Sequence, residues 1–230
     1  MKRILITGAS RGIGRAIAQV LAGHGTTLFI HGRDTVALAE TRAAIDAKGG
    51  RAIALTFDLR DARAVEAMVE HVGPEPLDVL IHNAGIAVVK PYEEVSLDEW
   101  MATLAVNVTA PFVLTQKLAP RMRSGASIVN ILSIAARTGF PGWSSYSMSK
   151  FALEGFSQAI REELRPRGIR VINVYPAATN TDIWQNVEGE WPREKMMSPN
   201  EIADAVAYAL SRPPEIAIEN IDVKNVAGVL

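Results

Sequence analysis

The chain has 230 residues, 48% of them hydrophobic and 21% charged, with a formal net charge of −1. That length can bury a sizeable core within one domain, while the balanced charge gives no electrostatic basis for a nucleic-acid or acidic-membrane partner. The absence of cysteine excludes disulfides, a thiolate nucleophile and cysteine-ligated metal. Only three apolar residues separate Met1-Lys2-Arg3 from Thr7, too few for a signal peptide, and no uncharged apolar run reaches about 18 residues, so a soluble, cytoplasmic protein is expected.

Lys2 to Thr7, with Ile4-Leu5-Ile6, reads as a strand; Gly8, Gly12 and Gly14 follow at once, and Arg15 to Ala22 continues as an apolar-rich helical stretch. The glycines allow a tight turn and close backbone approach, and the amides at the helix start suit a pyrophosphate. Further strands are predicted at Thr27 to Ile30, Ala52 to Phe57, Leu77 to His82, Ser127 to Leu132, Ile169 to Tyr175 and Ile216 to Val223. Strands alternating with helices imply an α/β domain, a doubly wound parallel sheet of about seven strands covered on both faces. Ser96-Leu97-Asp98-Glu99 and Ser198-Pro199-Asn200-Glu201 each fit a helix-opening capping box. Gly73-Pro74-Glu75-Pro76 and Arg212-Pro213-Pro214 are too brief to link domains.

The second strand ends in His31-Gly32-Arg33-Asp34. A carboxylate here suits a bare ribose, whereas a 2′-phosphate needs positive charge. Asp34 lies twenty residues after Gly14 and is either a ribose ligand or a helix cap. Asp58-Leu59 follows the third strand, and Asp58 could cap a helix beginning near Asp61. His82-Asn83-Ala84-Gly85 follows the fourth; His82 reads best as a strand-end histidine satisfied by a backbone group. Asn107, an amide among apolar helical positions, needs partners if buried. Ser133 sits at a carboxyl-terminal strand end, where open α/β sheets place their ligands, and no Gly-x-Ser-x-Gly elbow surrounds it. Ser144, Ser145, Ser147 and Ser149 read as loop and helix-start residues. Tyr146 and Lys150, four apart, share a helix face, and a nearby cation should draw the phenol's pKa of about 10 down toward a useful range. No histidine pair has metal-ligand spacing, so no catalytic metal is expected. Ile183 to Met197 mixes Trp184, Trp191, Met196 and Met197 with charged residues, as would a substrate lid; core packing and subunit contact are the alternatives.

The Gly-x-x-x-Gly-x-Gly spacing, followed in order by Asn83-Ala84-Gly85, Asn107, Ser133, Tyr146 and Lys150, closely resembles the short-chain dehydrogenase/reductase family from about Lys2 to Val223. The resemblance implies a Rossmann-type fold in which Tyr146 donates a proton, Ser133 orients the substrate oxygen, Lys150 tunes the phenol and holds the nicotinamide ribose, and Asn107 positions a relay water. It assigns the cofactor to Gly8, Ser10, Arg11, Gly12, Ile13, Gly14, Arg33, Asp58, Leu59, Asn83, Ala84, Gly85, Pro176 and Thr181, besides Tyr146 and Lys150. Gly32 stands where the family's ribose-binding carboxylate would align, so with Arg33 and Arg11 nearby the expected cofactor is NADP(H) rather than NAD(H). His82 replaces a common asparagine. Ala177 replaces a glycine and would be strained if that position needs positive φ. The tail lacks the family's frequent glycine-rich ending, which weakens the case for a homotetramer contact there and leaves a homodimer contact between helices open. The expected activity is hydride transfer between NADP(H) and a small-molecule carbonyl or secondary alcohol; an epimerase or dehydratase, and a nucleotide-sensing module without turnover, are the alternatives.

Overall fold

The computed structural model describes residues 2–187, 191–226 and 228. Seven strands, β1 (Lys2–Ile6), β2 (Thr26–His31), β3 (Arg51–Leu55), β4 (Val79–His82), β5 (Ser127–Ile131), β6 (Arg170–Pro176) and β7 (Asn220–Val223), form one parallel sheet in the order β3-β2-β1-β4-β5-β6-β7. Unbroken apolar runs need burial on both faces, and they receive it: Ile4 and Ile6 enter one core layer and Leu5 the other. Each such side chain contributes about 1.5–3 kcal/mol by leaving water.

Helices α1 (Gly12–Leu21) and α2 (Thr35–Asp46) cover one face through Ile17, Leu38 and Ile45, joined there by α7 (Pro199–Leu210) through Ile202 and Val206. The other face is covered by α3 (Ala62–Val72), α5 (Ala110–Leu118) and α6 (Ser144–Leu164), with Met68, Leu114 and Ile160 in its core, and α4 (Leu97–Leu104) packs outside them against α6. Helix starts follow local chemistry: Asp34 caps α2, Asp61 caps α3, and both predicted capping boxes form, opening α4 and α7. Among the described residues no helix is long and apolar enough to cross a membrane.

The fourth strand begins at Val79 rather than Leu77, and two others are shortened beside competing hydrogen bonds. The third ends at Leu55 because the Phe57 carbonyl faces the His31 ring. The last begins at Asn220 rather than Ile216, whose N–H donates into a turn at Pro213 and whose carbonyl accepts from Arg170. Between α4 and α5 the helix widens into a π turn over Ala105–Thr109, placing Asn107 inward. The strand order reverses between β1 and β4, which opens a crevice at their carboxyl ends.

Candidate active site

A cavity of about 800 Å³ occupies that crevice, within the range of cofactor and ligand sites. The β1–α1 loop forms its floor. Gly8 has φ +67°, open to glycine at little cost, and a side chain at Gly14 would overlap the Gly8 carbonyl oxygen. Asn83 Nδ2 donates to the Thr7 and Gly8 carbonyls at 2.9 Å each, while the Asn83 and Ala84 N–H groups donate to Thr7 Oγ1 at 3.0 and 3.1 Å. His31 Nδ1 accepts from the Gly8 N–H at 3.3 Å, and Nε2 meets the Phe57 carbonyl at 3.0 Å. Burial lowers the His31 pKa, favouring the neutral ring that this pair of contacts requires. Thr7 and His31 are thus braces of the glycine loop, and much of the Asn83 amide is committed to the same task. The sequence marks both only as strand-end polar residues; nothing local links them across the loop.

Ser10, Arg11, Gly12 and Ile13 line this end, together with Arg33, Asp34, Asp58, Leu59 and Arg60. Its carboxylates have partners. Asp34 accepts from the Ala37 N–H at 3.0 Å, as a helix cap does. Asp58 is gripped by the Arg60 guanidinium at 2.5 Å, and those bonds hold its pKa down to about 2; Asp61, not Asp58, caps α3. Arg11 lies 3.7 Å from Asp182. Arg33 makes no ion pair among the described residues, and a Cβ at Gly32 would come within 2.9 Å of Ser10 Cβ, leaving no room for an acidic side chain.

At the other end of the floor, Ser133 follows β5, with its Oγ accepting from the Ala135 N–H at 3.1 Å and bonded to the Tyr146 phenol. Tyr146 and Lys150 rise from the first turns of α6, both buried. The expected lowering of the phenol pKa is not found. Burial pushes Tyr146 up to about 12, with Ser133 opposing, because Lys150 Nζ donates to the Ile131 carbonyl at 2.8 Å and stands 5.6 Å from the ring centroid instead of on the hydroxyl. Burial also brings Lys150 down to about 8. The phenol therefore holds its proton at neutral pH and is equipped to donate it.

Asn107 is buried and satisfied: its Oδ1 accepts from the Ile86 N–H, and its Nδ2 donates to the Ile86 carbonyl and to Ser149 Oγ, all at 2.9 Å. Ser149 in turn donates to the Tyr146 carbonyl at 2.7 Å, tying the π turn to the first turn of α6. Read from sequence as a helix-start serine, Ser149 is a positioning residue; its place next to Lys150 was the available signal. Gly85 lies beside both Asn107 Oδ1 and Lys150 Nζ.

Two departures from the family pattern resolve locally. His82 Nε2 meets Thr115 Oγ1 at 2.9 Å, a side-chain hydroxyl rather than the expected backbone group, and burial lowers its pKa to about 3. Ala177 is unstrained: no non-glycine residue among those described has positive φ, and its N–H donates to the Val223 carbonyl at 2.9 Å. Pro176 and Thr181 line the cavity on either side of it.

The segment 183–197 divides. Glu188 to Glu190, with Gly189, lie outside the described residues. Met196 and Met197 are buried, and Met197 pairs through its backbone with Ala178 and Asn180, as the core-packing alternative requires. Ile183, Trp184 and Trp191 instead line the cavity beside Trp143.

A family model described as short chain dehydrogenase matches residues 2–191. The ketoacyl reductase HetN of Nostoc sp. is 36% identical over 95% of this chain and 78% of its own length. The 3-oxoacyl-[acyl-carrier-protein] reductase of Synechocystis sp. is 33% identical over 91% of this chain and 89% of its own. A short chain dehydrogenase from Burkholderia cenocepacia, solved in complex with NADP, superposes with a TM-score of 0.89 at 34% identity, covering 97% of this chain and 96% of that one. With its ordered motifs gathered around one crevice of a seven-stranded parallel sheet, the chain belongs to the short-chain dehydrogenase family.

Proposed function

We propose that this protein is an NADP(H)-dependent carbonyl reductase that also runs in reverse as an alcohol dehydrogenase. The observation that carries the reading is a buried Tyr146 bonded to Ser133, on the floor of a cavity whose other end is lined by the glycine loop. The donor set fits the phosphorylated cofactor: the glycine loop admits a pyrophosphate, Gly32 presents no acid, and Arg33 is available to a 2′-phosphate. Lys150, an ammonium with three donors, has one protein acceptor among the described residues and can offer the others to ribose hydroxyls. When bound, the cofactor supplies the hydride at nicotinamide C4.

Tyr146 protonates the carbonyl oxygen as negative charge grows on it, and Ser133 donates to the same oxygen. Lys150 stabilises the phenolate left behind, and Asn107 supports reprotonation through a bound water. Asp58 and Leu59 flank the adenine, Asn83, Ala84 and Gly85 border the cofactor's path, and Pro176 and Thr181 hold the nicotinamide amide. Ile183, Trp184 and Trp191 cover the substrate end as a lid; hydrogen exchange in this segment should slow when substrate joins the NADP complex, and unchanged exchange would remove the lid. The chain works in the cytoplasm as a homodimer or homotetramer, which light scattering would test. The activity itself is tested by following NADPH consumption against ketones, aldehydes, 3-oxoacyl thioesters, quinones and pterins. Tight NADPH binding without turnover of any of them would instead favour a nucleotide sensor.

A further inference from the structure

Resting on that reading, we propose that the substrate is an uncharged ketone carried on an aromatic body, of one ring or several fused, recognised by a wall of three indoles. Trp143 precedes α6 and stands edge-on to the Tyr146 ring, with centroids 5.5 Å apart. Trp184 stands edge-on to Trp143 at 5.7 Å, and Trp191 lies tilted against Trp184 at 4.8 Å. All three line the cavity, so an aromatic surface runs outward from the proton donor without a break.

The charged groups at this end already face protein partners. Of the described cavity-lining residues after Gly85, only Lys150 and Asp182 carry charge at neutral pH; the first donates to Ile131 and the second faces Arg11. The Trp184 N–H is spent on the Thr179 carbonyl at 2.9 Å, which also fixes that indole. Arg193, two residues beyond Trp191, donates to Asn180 Oδ1 at 2.6 Å and to the Thr181 carbonyl at 3.0 Å, tying the Trp191 segment to the same loop. A polyhydroxylated substrate would lose water here for few new hydrogen bonds, and a charged one would lack an unspent counter-charge. A flat ring system loses little conformational freedom on binding and meets π faces and edges at favourable angles.

The reaction balances. The carbonyl carbon gains the hydride and its two electrons from NADPH, which leaves as NADP⁺. The carbonyl π pair moves to oxygen and takes the Tyr146 proton, and solvent returns that proton to the phenolate.

The test compares tetralone, its saturated analogue decalone and the polyol ketone erythrulose on the full chain. Two readouts are taken: kcat/KM from NADPH consumption, and quenching of tryptophan emission in the NADP⁺-loaded protein. Three of the chain's four tryptophans line the cavity, so tetralone binding should quench strongly. We expect kcat/KM for tetralone to exceed that for decalone by at least about tenfold and that for erythrulose by about a hundredfold. Trp184→Leu should reduce the tetralone-to-decalone ratio at least about fivefold. Equal or better turnover of decalone or erythrulose, or an unchanged ratio in Trp184→Leu, overturns the proposal. Tetralone quenching without turnover of any ketone upholds the aromatic wall and defeats the reductase reading; turnover of other ketones with no tetralone quenching does the reverse.

Discussion

At the nucleotide end of the cavity, the carboxylates are held by close partners and one arginine, Arg33, makes no ion pair among the described residues; at the substrate end, indoles from separated segments form a wall with little charge. Asp34 and Asp58 meet groups two or three residues away, and Asp182 meets Gln185, three residues on, and Arg11 of the glycine loop. Trp143, Trp184 and Trp191 meet only because the loop after β6 folds back toward the start of α6. Recognition by fixed charge can be built from short, local turns, whereas recognition by shape needs distant segments to converge. Between the two ends lie Tyr146 and Lys150, where burial rather than pairing sets protonation.

The largest expected effect falls on Lys150, which links the two ends. Lys150→Met should lower kcat/KM by at least about a hundredfold, through loss of both the cofactor contact and the charge beside Tyr146. The same change should stabilise the cofactor-free protein by roughly 1–3 kcal/mol at pH 7, because burial depresses the lysine's pKa from its ordinary 10.5 to about 8 and its charged form is penalised by folding. Between about 8 and 10.5 the unfolded chain binds more protons than the folded one, so the wild type regains stability as pH rises and the gap to the variant narrows. Urea midpoints of both proteins across that window check the sign; a gap that widens with pH would contradict it.

A smaller effect, confined to the nucleotide end, is expected of Arg33→Ala. Loss of a charge-assisted hydrogen bond worth about 1.5–3 kcal/mol should weaken NADPH by roughly 10- to 150-fold and leave NADH nearly unchanged. Calorimetric titration of both cofactors measures this. Tighter binding of NADH than NADPH by the wild type would return Asp34 to the role of ribose ligand.

Much of the nucleotide end is legible in the sequence because its signals lie within a few residues of one another. Alternating strands and helices announce the sheet, the glycines announce the turn, and Ser96 and Ser198 announce helix starts through groups a few residues apart. What it hides is assembled across distance. His31 braces Gly8, Ser149 joins Asn107 to α6, and the three indoles converge, each through contacts that only the fold creates. The phenol's protonation is hidden for the same reason. Spacing places Lys150 one turn from Tyr146, but spacing cannot tell that the ammonium turns to the Ile131 carbonyl or that desolvation outweighs its charge.

The central claim is that this cavity both holds the nucleotide and donates a proton through Tyr146. Tyr146→Phe keeps the ring and removes the donor, so the variant should bind NADPH with near wild-type affinity yet leave it reduced when mixed in a single turnover with a ketone that the wild type consumes. The predicted result is a transfer rate at least about a hundredfold lower. Oxidation of the bound cofactor at the wild-type rate would contradict the account.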